Sequence, residues 1–278
     1  MVTIKTEIRT SGNSLMKNHQ CDVVIKPSRG GKIRIFSKGA DISFDADIDN
    51  LYSTDHCVTL CSKEHRTLLG DYKYKAMLCE HFMAACAICN IDSLDVYLSE
   101  TEFPIFDGSA KVWVELFKSA GIEGVNNDIY TVSEPVFYLN GKTSLVILPD
   151  KELTVSYAVN YDHPDLRNRW VKLDTKNIQE IIEARTFGFY KDLKKYQMLG
   201  FAKGVTVENT VGLKDIGYTT GLRSEFEPAK HKILDLIGDL YLTGVSPLNM
   251  RAQILVKEAG HAVHTKVAQI LKNKLVKI

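Results

Sequence analysis

The sequence has almost no imbalance of charge and no long apolar run. Its 278 residues include 35 basic and 34 acidic side chains, a formal net charge of +1. So small a net charge gives no reason to expect broad electrostatic binding to nucleic acid or an anionic membrane, although a local basic cleft stays open. No run of about 18 apolar residues suggests a membrane span, and the polar N-terminus lacks the apolar core of a signal peptide. We therefore expect a cytoplasmic protein with no transmembrane segment and no nucleic-acid partner.

Cysteine is scarce and confined to one part of the chain. All six cysteines lie between Cys21 and Cys89, and Cys86 and Cys89 form one CxxC motif. A zinc knuckle needs a second pair of ligands of this kind, and the sequence has none. The motif also falls in an apolar stretch with helical spacing. Buried free thiols are therefore the simpler interpretation, and reduced cysteines fit the cytosol.

The same order of patterns occurs twice along the chain. With 45% hydrophobic residues, the sequence can bury one large or two moderate cores. Strands, a helix, a strand and a second helix are predicted on each side of the polar stretch 123–128, which is typical of a linker. The sequence therefore predicts an α+β fold with an N-terminal domain, 1–124, and a similar C-terminal domain, 129–278.

Hydrophobic periodicity sets the expected bounds of the main elements. The two helices that matter most below are predicted at 75–90 and 228–242. The other predicted helices are 110–120, 176–184, 190–198 and 262–275. The predicted strands are 3–9, 21–26, 32–36, 93–100, 144–149, 153–161, 205–216 and 251–257.

The second of the two main helices carries a line of polar residues, although it is otherwise built of Ile and Leu. At about 100° per residue, His231, Asp235 and Asp239 fall in one stripe. Lys232 lies at its edge, and Gly238 beside it removes a side chain where room is needed. One interpretation is a solvated polar face with an ordinary i,i+4 pair. The other is half of a metal site, because an imidazole and a carboxylate one turn apart both suit Zn²⁺.

A catalytic zinc site would need a third protein ligand and a base from elsewhere in the chain. Glu80 and His81, in the motif CEHF, interrupt an otherwise apolar helix. They suit a general base and a third ligand. Alternatively, this turn faces solvent, or Glu80 pairs with a lysine such as Lys75.

A third motif, AGH, places His261 at a predicted strand-to-helix junction. The helix dipole disfavours a cationic imidazole there, and a carboxylate such as Asp239 would restore its basicity. A surface or capping histidine is the alternative interpretation. His264 lies one turn further on and has no second motif to support it.

These motifs belong to a larger set of sequence blocks. The blocks are CEHFMAA (79–85), EFPIFDGSA (102–110), ARTFGF (184–189) and HKILDLIGDLYLTG (231–244), followed by AGH (259–261). In this combination and order the chain resembles the UDP-3-O-acyl-N-acetylglucosamine deacetylases, the zinc enzymes of the committed step of lipid A synthesis. The resemblance spans most of the chain. It implies two similar domains, each a β-sheet layered with helices, with the active site in the cleft between them.

The implied activity is that of a zinc-dependent hydrolase of lipid A and lipopolysaccharide biosynthesis. It would hydrolyse the acetamide of UDP-3-O-acyl-N-acetylglucosamine and release acetate and UDP-3-O-acyl-glucosamine. That UDP-sugar is the expected partner, and a monomer is the default expectation. A related zinc amidohydrolase acting on another acylated sugar is an alternative, because SGNSLMKNHQ replaces the family's GLH-type turn near the N-terminus. An inactive binding relative is a third hypothesis.

The resemblance also implies a role for individual residues. The implied zinc ligands are His81, His231 and Asp235. Glu80 would match the general base that activates water. His261 would match the proton donor to the leaving amine, with Asp239 holding and charging its ring.

Further implied roles concern the substrate. Thr186 would help to stabilise the tetrahedral oxyanion, and Lys232 would add positive charge near the oxyanion or the phosphates. Phe187 would flank the sugar, and Tyr161 would stack on uracil. The family's insert, here near 190–213, would form the passage for the acyl chain.

Overall fold

The computed structural model describes residues 1–39, 41–65 and 71–278. Among these residues, the α-helices of the first half are α1 (Cys79–Ile88) and α2 (Lys111–Ala120). The strands of the first half are β1 (Thr3–Ile4), β2 (Ile8–Asn13), β3 (Gln20–Pro27), β4 (Ile33–Ser37), β5 (Ser43–Asp45), β6 (Leu51–Ser53), β7 (Thr59–Cys61), β8 (Lys75–Met77), β9 (Leu94–Leu98) and β10 (Ile122–Glu123).

The second half contains the other α-helices and strands described here. Its helices are α3 (Gln179–Ile182), α4 (Tyr190–Met198), α5 (Glu227–Tyr241) and α6 (His261–Leu271). Its strands are β11 (Tyr130–Val132), β12 (Val136–Asn140), β13 (Thr143–Pro149), β14 (Thr154–Val159), β15 (Arg169–Lys172), β16 (Thr186–Phe189), β17 (Thr210–Leu213), β18 (Ala252–Lys257) and β19 (Leu275–Lys277). Among the helices described, none has the length and apolar character that a membrane span requires.

Each half contains a five-stranded sheet, and the two sheets have the same topology. The strand orders are β2-β3-β9-β4-β5 and β12-β13-β18-β14-β15. In both sheets the central strand is the last in sequence. It pairs antiparallel with the second strand and parallel with the third. A helix precedes this central strand and another follows it in each half. The predicted α+β class is confirmed.

Two short pairings close the halves separately. β1 pairs with β10, and β11 pairs with β19, so the chain pairs within its first half as far as Glu123 and within its second half from Tyr130. This arrangement supports the linker predicted at 123–128. The domain bounds 1–124 and 129–278 stay a prediction, because one continuous cluster of buried residues runs through both halves.

Helices α1 and α5 pack against each other in the interior. Both are buried almost all round: α1 is buried from Cys79 to Ala87, and α5 exposes only part of Lys230. Polar groups on such helices cannot be solvated, so they must find partners inside the protein. The interpretation of the stripe on α5 as a solvated face is therefore wrong.

Several predicted bounds differ from the observed ones. The predicted helix 75–90 begins only at Cys79, because Lys75–Met77 pairs with β7 and Leu78 adopts a left-handed conformation with φ of 62°. The predicted strand 3–9 consists of two separate strands that pair with different partners, β1 with β10 and β2 with β3. The segment 205–216 forms only the short strand β17.

Candidate active site

Three side chains that lie far apart in sequence converge between α1 and α5. Nε2 of His231 lies 3.3 Å from Oδ1 of Asp235, and Nε2 of His81 lies 3.8 Å from the same oxygen. One ligand atom from each of the three residues lies within 4.8 Å of the other two, and all three residues are buried. The group could therefore hold a metal ion.

The protonation states at this cluster fit a cation. Oδ1 of Asp235 is buried and has no hydrogen-bond partner in the described part of the chain. Nδ1 of His231 donates to the carbonyl oxygen of Ala184 at 2.9 Å, so Nε2 of the neutral ring presents a lone pair. Burial, the larger effect, and the neighbouring His231 lower the pKa of His81 to about 3, and burial also lowers the pKa of His231. Two neutral imidazoles and one unpaired carboxylate oxygen are the donor set that Zn²⁺ prefers.

Glu80 and His261 face each other beside this cluster. Oε1 of Glu80 lies 3.7 Å from Nε2 of His261, and Oε2 of Glu80 accepts from the backbone N–H of Val58 at 3.0 Å. Burial raises the pKa of Glu80 to about 7. Burial acts in the opposite direction on His261, but the carboxylates of Asp239, Asp235 and Glu80 outweigh it and raise the pKa of His261 to about 9.

Asp239 holds two histidines rather than the single one expected from the sequence. Its Oδ2 accepts from Nδ1 of His261 and from Nδ1 of His264, each at 2.8 Å. Nε2 of His264 lies 2.9 Å from the hydroxyl of Tyr157, which donates to the carbonyl oxygen of Ala259 at 2.8 Å. Asp239 and His264 are completely buried. Nothing in the sequence was a reason to assign His264 a role. The one signal that could have found it is its i,i+3 spacing from His261, which places both rings on the same side of a helix.

Lys232 contacts one of the three predicted metal ligands, Asp235. Its Nζ donates to Oδ2 of Asp235 at 2.5 Å, the carboxylate oxygen that does not face the two imidazoles. Burial would lower the pKa of Lys232, but Asp235 outweighs it and the pKa is raised, so the ammonium stays charged. Burial likewise opposes ionisation of Asp235, yet His231 and Lys232 keep its pKa well below the usual range.

A buried ion pair fixes the start of α5 to the block ARTFGF. Arg185 donates from Nε to Oε1 of Glu227 at 2.8 Å and from Nη2 to Oε2 at 3.1 Å. The backbone N–H groups of Arg185 and Arg223 also donate hydrogen bonds to the carboxylate of Glu227. Glu227 belongs to the segment EPAKH, and its role was missed because nothing in the sequence shows which acid a buried arginine reaches.

The residues expected to bind substrate lie beside the metal cluster. The ring centroids of Phe187 and His231 are 6.1 Å apart, and those of Tyr161 and Phe187 are 5.3 Å apart. Thr186 begins β16, and its backbone N–H donates to Gly108 at 2.8 Å. Its hydroxyl makes no hydrogen bond to any part of the chain that the structure describes. The predicted role of this hydroxyl in catalysis therefore stays a prediction.

A cavity of about 400 Å³ opens next to these side chains. It lies between the segment 186–212 and residues of the first half. The lining includes Leu15, Met16, Thr186, Phe187, Leu193 and Val205, which are mostly apolar. The predicted insert near 190–213 therefore forms much of one wall.

The cysteines take no part in these clusters. Among the residues that the structure describes, no potential metal-binding group contains a cysteine. Cys86 is buried and Cys89 is half-buried, and burial raises the pKa of both thiols. The interpretation of CAIC as buried free thiols is confirmed for Cys86.

Comparisons with known proteins find one family along nearly the whole chain. The family model described as LpxC, UDP-3-O-acyl N-acetylglycosamine deacetylase, matches residues 1–273. A UDP-3-O-acyl-N-acetylglucosamine deacetylase of Leptospira biflexa is 34% identical over 230 residues, which are 80% of this chain and 74% of the relative. One from Teredinibacter turnerae is 31% identical over 286 residues, covering 98% and 90%. One from Geotalea uraniireducens is 29% identical over 274 residues, covering 95% and 85%.

Proposed function

We propose, because the chain belongs to the LpxC family of UDP-3-O-acyl N-acetylglycosamine deacetylases, that it hydrolyses the acetamide of UDP-3-O-acyl-N-acetylglucosamine. The products are acetate and UDP-3-O-acyl-glucosamine, and the reaction serves lipid A biosynthesis. The observation that carries this proposal is the facing pair of Glu80 and His261 beside a cluster with metal-ligand geometry. We place the reaction in the cytoplasm and expect a monomer to suffice, because the described residues of one chain supply every group named below.

The metal in this proposal is Zn²⁺, held by His81, His231 and Asp235. When bound, Zn²⁺ polarises the acetamide carbonyl and increases the acidity of the attacking water. The unpaired Oδ1 of Asp235 supports the assignment, since a buried carboxylate oxygen without a partner is costly. Lys232 occupies Oδ2 of the same carboxylate and so leaves Oδ1 for the ion.

Glu80 and His261 divide the two proton transfers. Glu80 takes the proton of the attacking water, and its pKa of about 7 suits a base at neutral pH. His261 gives a proton to the leaving nitrogen, because an amine is a poor leaving group unless it is protonated. Its pKa of about 9 keeps the ring cationic before the reaction, and Asp239 holds Nδ1 so that Nε2 faces Glu80.

The remaining predicted residues would contact the substrate. We propose that Thr186 donates its free hydroxyl to the tetrahedral oxyanion, where Lys232 adds positive charge. Phe187 and Tyr161 form one aromatic wall and would flank the sugar and the uracil. The cavity beneath α4 would take the acyl chain, because its lining is mostly apolar.

The test is turnover and metal content measured on the same preparation. The purified protein should contain about one equivalent of zinc and release acetate from UDP-3-O-acyl-N-acetylglucosamine. Glu80→Gln should keep the zinc and lose roughly two orders of magnitude in rate, as the loss of a positioned base does. Zinc-loaded protein that leaves this UDP-sugar intact would contradict the proposed substrate, and protein that binds no zinc would contradict the proposed mechanism.

A further inference from the structure

Helix α4 has two different sides and no buried residue. Tyr190, Leu193 and Tyr196 line the cavity. At 100° per residue, the opposite side of the helix carries Lys191, Lys194, Lys195 and Met198. The chain leaves the helix through Leu199 and Gly200, whose φ of +88° permits a sharp end.

The outward side of α4 and the turn that follows the helix carry a set of exposed side chains. We call this set the rim patch, made of Lys191, Lys194, Lys195, Lys203, Met198 and Leu199. Met198 is 88% exposed and Leu199 is 63% exposed. Neither side chain packs into the core of the chain that the structure describes, although both are large and apolar. Such a surface marks an interaction site when polar residues surround it.

The lysines of the rim patch differ from many other lysines of the chain in their ionic contacts. Within residues 1–39, 41–65 and 71–278, none of the four forms an ion pair, although lysines elsewhere such as Lys111, Lys272 and Lys274 do. Their charges are therefore available to an external anion. The chain's net charge of +1 conceals this local excess of positive charge.

We propose that the rim patch docks on an anionic phospholipid surface. Lysines around exposed apolar side chains fit a bilayer, because the ammonium groups contact anionic headgroups while the apolar groups enter the boundary of the acyl chains. The docking is peripheral, through one short helix and the turn that follows it. An acidic protein partner is the competing occupant, and the combination of lysines with large exposed apolar side chains favours a bilayer over it.

The position of the rim patch gives this docking a purpose. Tyr196 and Phe201 line the cavity, and both lie next in sequence to residues of the rim patch or within two positions of them. Tyr196 is also 39% exposed and Phe201 36% exposed, so a bilayer held against the rim patch would lie close to the part of the cavity lining that reaches solvent. On the proposed function, an acylated substrate or product could then pass between bilayer and cavity without crossing water. The docking itself does not depend on that function.

Vesicle co-sedimentation of the full-length protein tests the docking directly. The protein should pellet with vesicles of phosphatidylcholine and phosphatidylglycerol in equal parts, and not with phosphatidylcholine alone. Raising the salt concentration should release it, because screening weakens attraction to the headgroups. Lys194→Gln with Lys195→Gln should weaken partitioning about thirtyfold, and Met198→Ser with Leu199→Ser about tenfold.

A matched control and an activity assay separate the possible outcomes. Leu139 is 67% exposed on the β12–β13 hairpin and Lys142 is exposed in its turn, so Leu139→Ser with Lys142→Gln should leave vesicle binding unchanged. All variants should turn over a water-soluble short-chain substrate at the rate of the parent protein. If the proposed function is wrong, the parent and every variant should be equally inactive in this assay, whatever their binding to vesicles. Equal binding to both kinds of vesicle, or rim-patch variants that bind like the control, would overturn the proposal. So would a dimer in sedimentation velocity that only the rim-patch variants lose, since a second copy would then be the occupant.

Discussion

Gly238 of α5 lies directly against the backbone of Glu80 in α1. A Cβ atom on Gly238 would be 2.0 Å from the carbonyl oxygen of Glu80 and 3.1 Å from the backbone nitrogen of Ala84. The two helices therefore touch through their main chains at this point. The contact sets the distance between the Glu80–His81 pair on one helix and the polar stripe on the other, so Gly238 supports the site although it carries no functional group.

Gly238→Ala should separate the two helices. The added methyl group meets backbone, which cannot swing away as a flexible side chain can, so we expect a loss of about 1–3 kcal/mol in the free energy of unfolding. Because the ligands come from both helices, zinc affinity should fall as well. Urea denaturation and metal titration measure the two effects.

Gly221→Ala is the control for that substitution. No atom lies within 4 Å of a Cβ at Gly221, and its φ is not positive. This variant should unfold and bind zinc as the parent does. If Gly238→Ala behaved in the same way, the close contact between α1 and α5 would not position the ligands.

Two carboxylates one turn apart on α5 should separate metal binding from proton transfer. Asp235→Asn removes the negative charge from the predicted zinc site and should lower metal affinity by tenfold or more. Asp239→Asn should keep the zinc but slow the reaction, since His261 loses the partner that raises its pKa. Metal content by mass spectrometry and the rate of acetate release distinguish the two. Full zinc occupancy in Asp235→Asn would exclude it as a ligand.

The sequence predicted the ligand group because its spacing is local within each helix. His231 and Asp235 are one turn apart, and Glu80 is next to His81, so each pair could be read without a tertiary fold. How the pairs meet could not be predicted this way. That depends on the contact at Gly238, where the sequence indicated only local space beside the stripe.

Other features were missed because their partners are distant in sequence. His264 and Asp239 are 25 residues apart, and Arg185 and Glu227 are 42 apart. Neither pairing has a periodic signal, and propensities describe only local backbone choices. Leu78 was placed inside a helix for a similar reason: apolar spacing continues through it, whereas the pairing of β8 with β7 overrides the helical pattern there.

The rate should depend on pH as a bell-shaped curve. Glu80 must be ionised, so kcat/KM should rise as the pH increases through its pKa of about 7. His261 must be protonated, so kcat/KM should fall as the pH increases through about 9. A bound cation stabilises the ionised carboxylate and moves the acidic limb to lower pH. Because Glu80 and His261 interact, the two apparent pKa values of the curve belong to the pair and not to either residue alone.

Glu80→Gln checks this assignment. Its residual activity should lose the acidic limb, since no group with that pKa then has to ionise. The alkaline limb should remain. An acidic limb that persists unchanged in the variant would assign it to a different group.

His264 should influence catalysis through Asp239. His264→Ala removes one of the two hydrogen bonds to Oδ2, which frees the carboxylate to rotate and misaligns His261. We expect kcat to fall about tenfold with zinc content unchanged. In the background of Asp239→Asn, the same substitution should have little further effect, because coupled residues are not additive. Equal losses in both backgrounds would mean that His264 has only a packing role.

The carboxylate of Glu227 contributes stability in a defined pH range. Burial alone would raise its pKa, but the hydrogen bonds from Arg185 and from the N–H of Arg223 outweigh it and lower the pKa below 4.5. A group whose pKa is depressed on folding stabilises the native state above its unfolded pKa. That contribution is lost as the pH falls through the folded value.

Glu227→Gln should therefore lower the free energy of unfolding by about 3 kcal/mol at pH 7, because Arg185 keeps its buried charge and loses the opposite one. The difference between parent and variant should shrink as the pH falls below 4.5. Glu180→Gln is the control, since Glu180 is 42% exposed and pairs with Lys230 at the surface. That change should cost less than about 1 kcal/mol. Urea unfolding at pH 7 and pH 4 measures both variants, and a difference for Glu227→Gln that is independent of pH would show that its ionisation does not stabilise the start of α5.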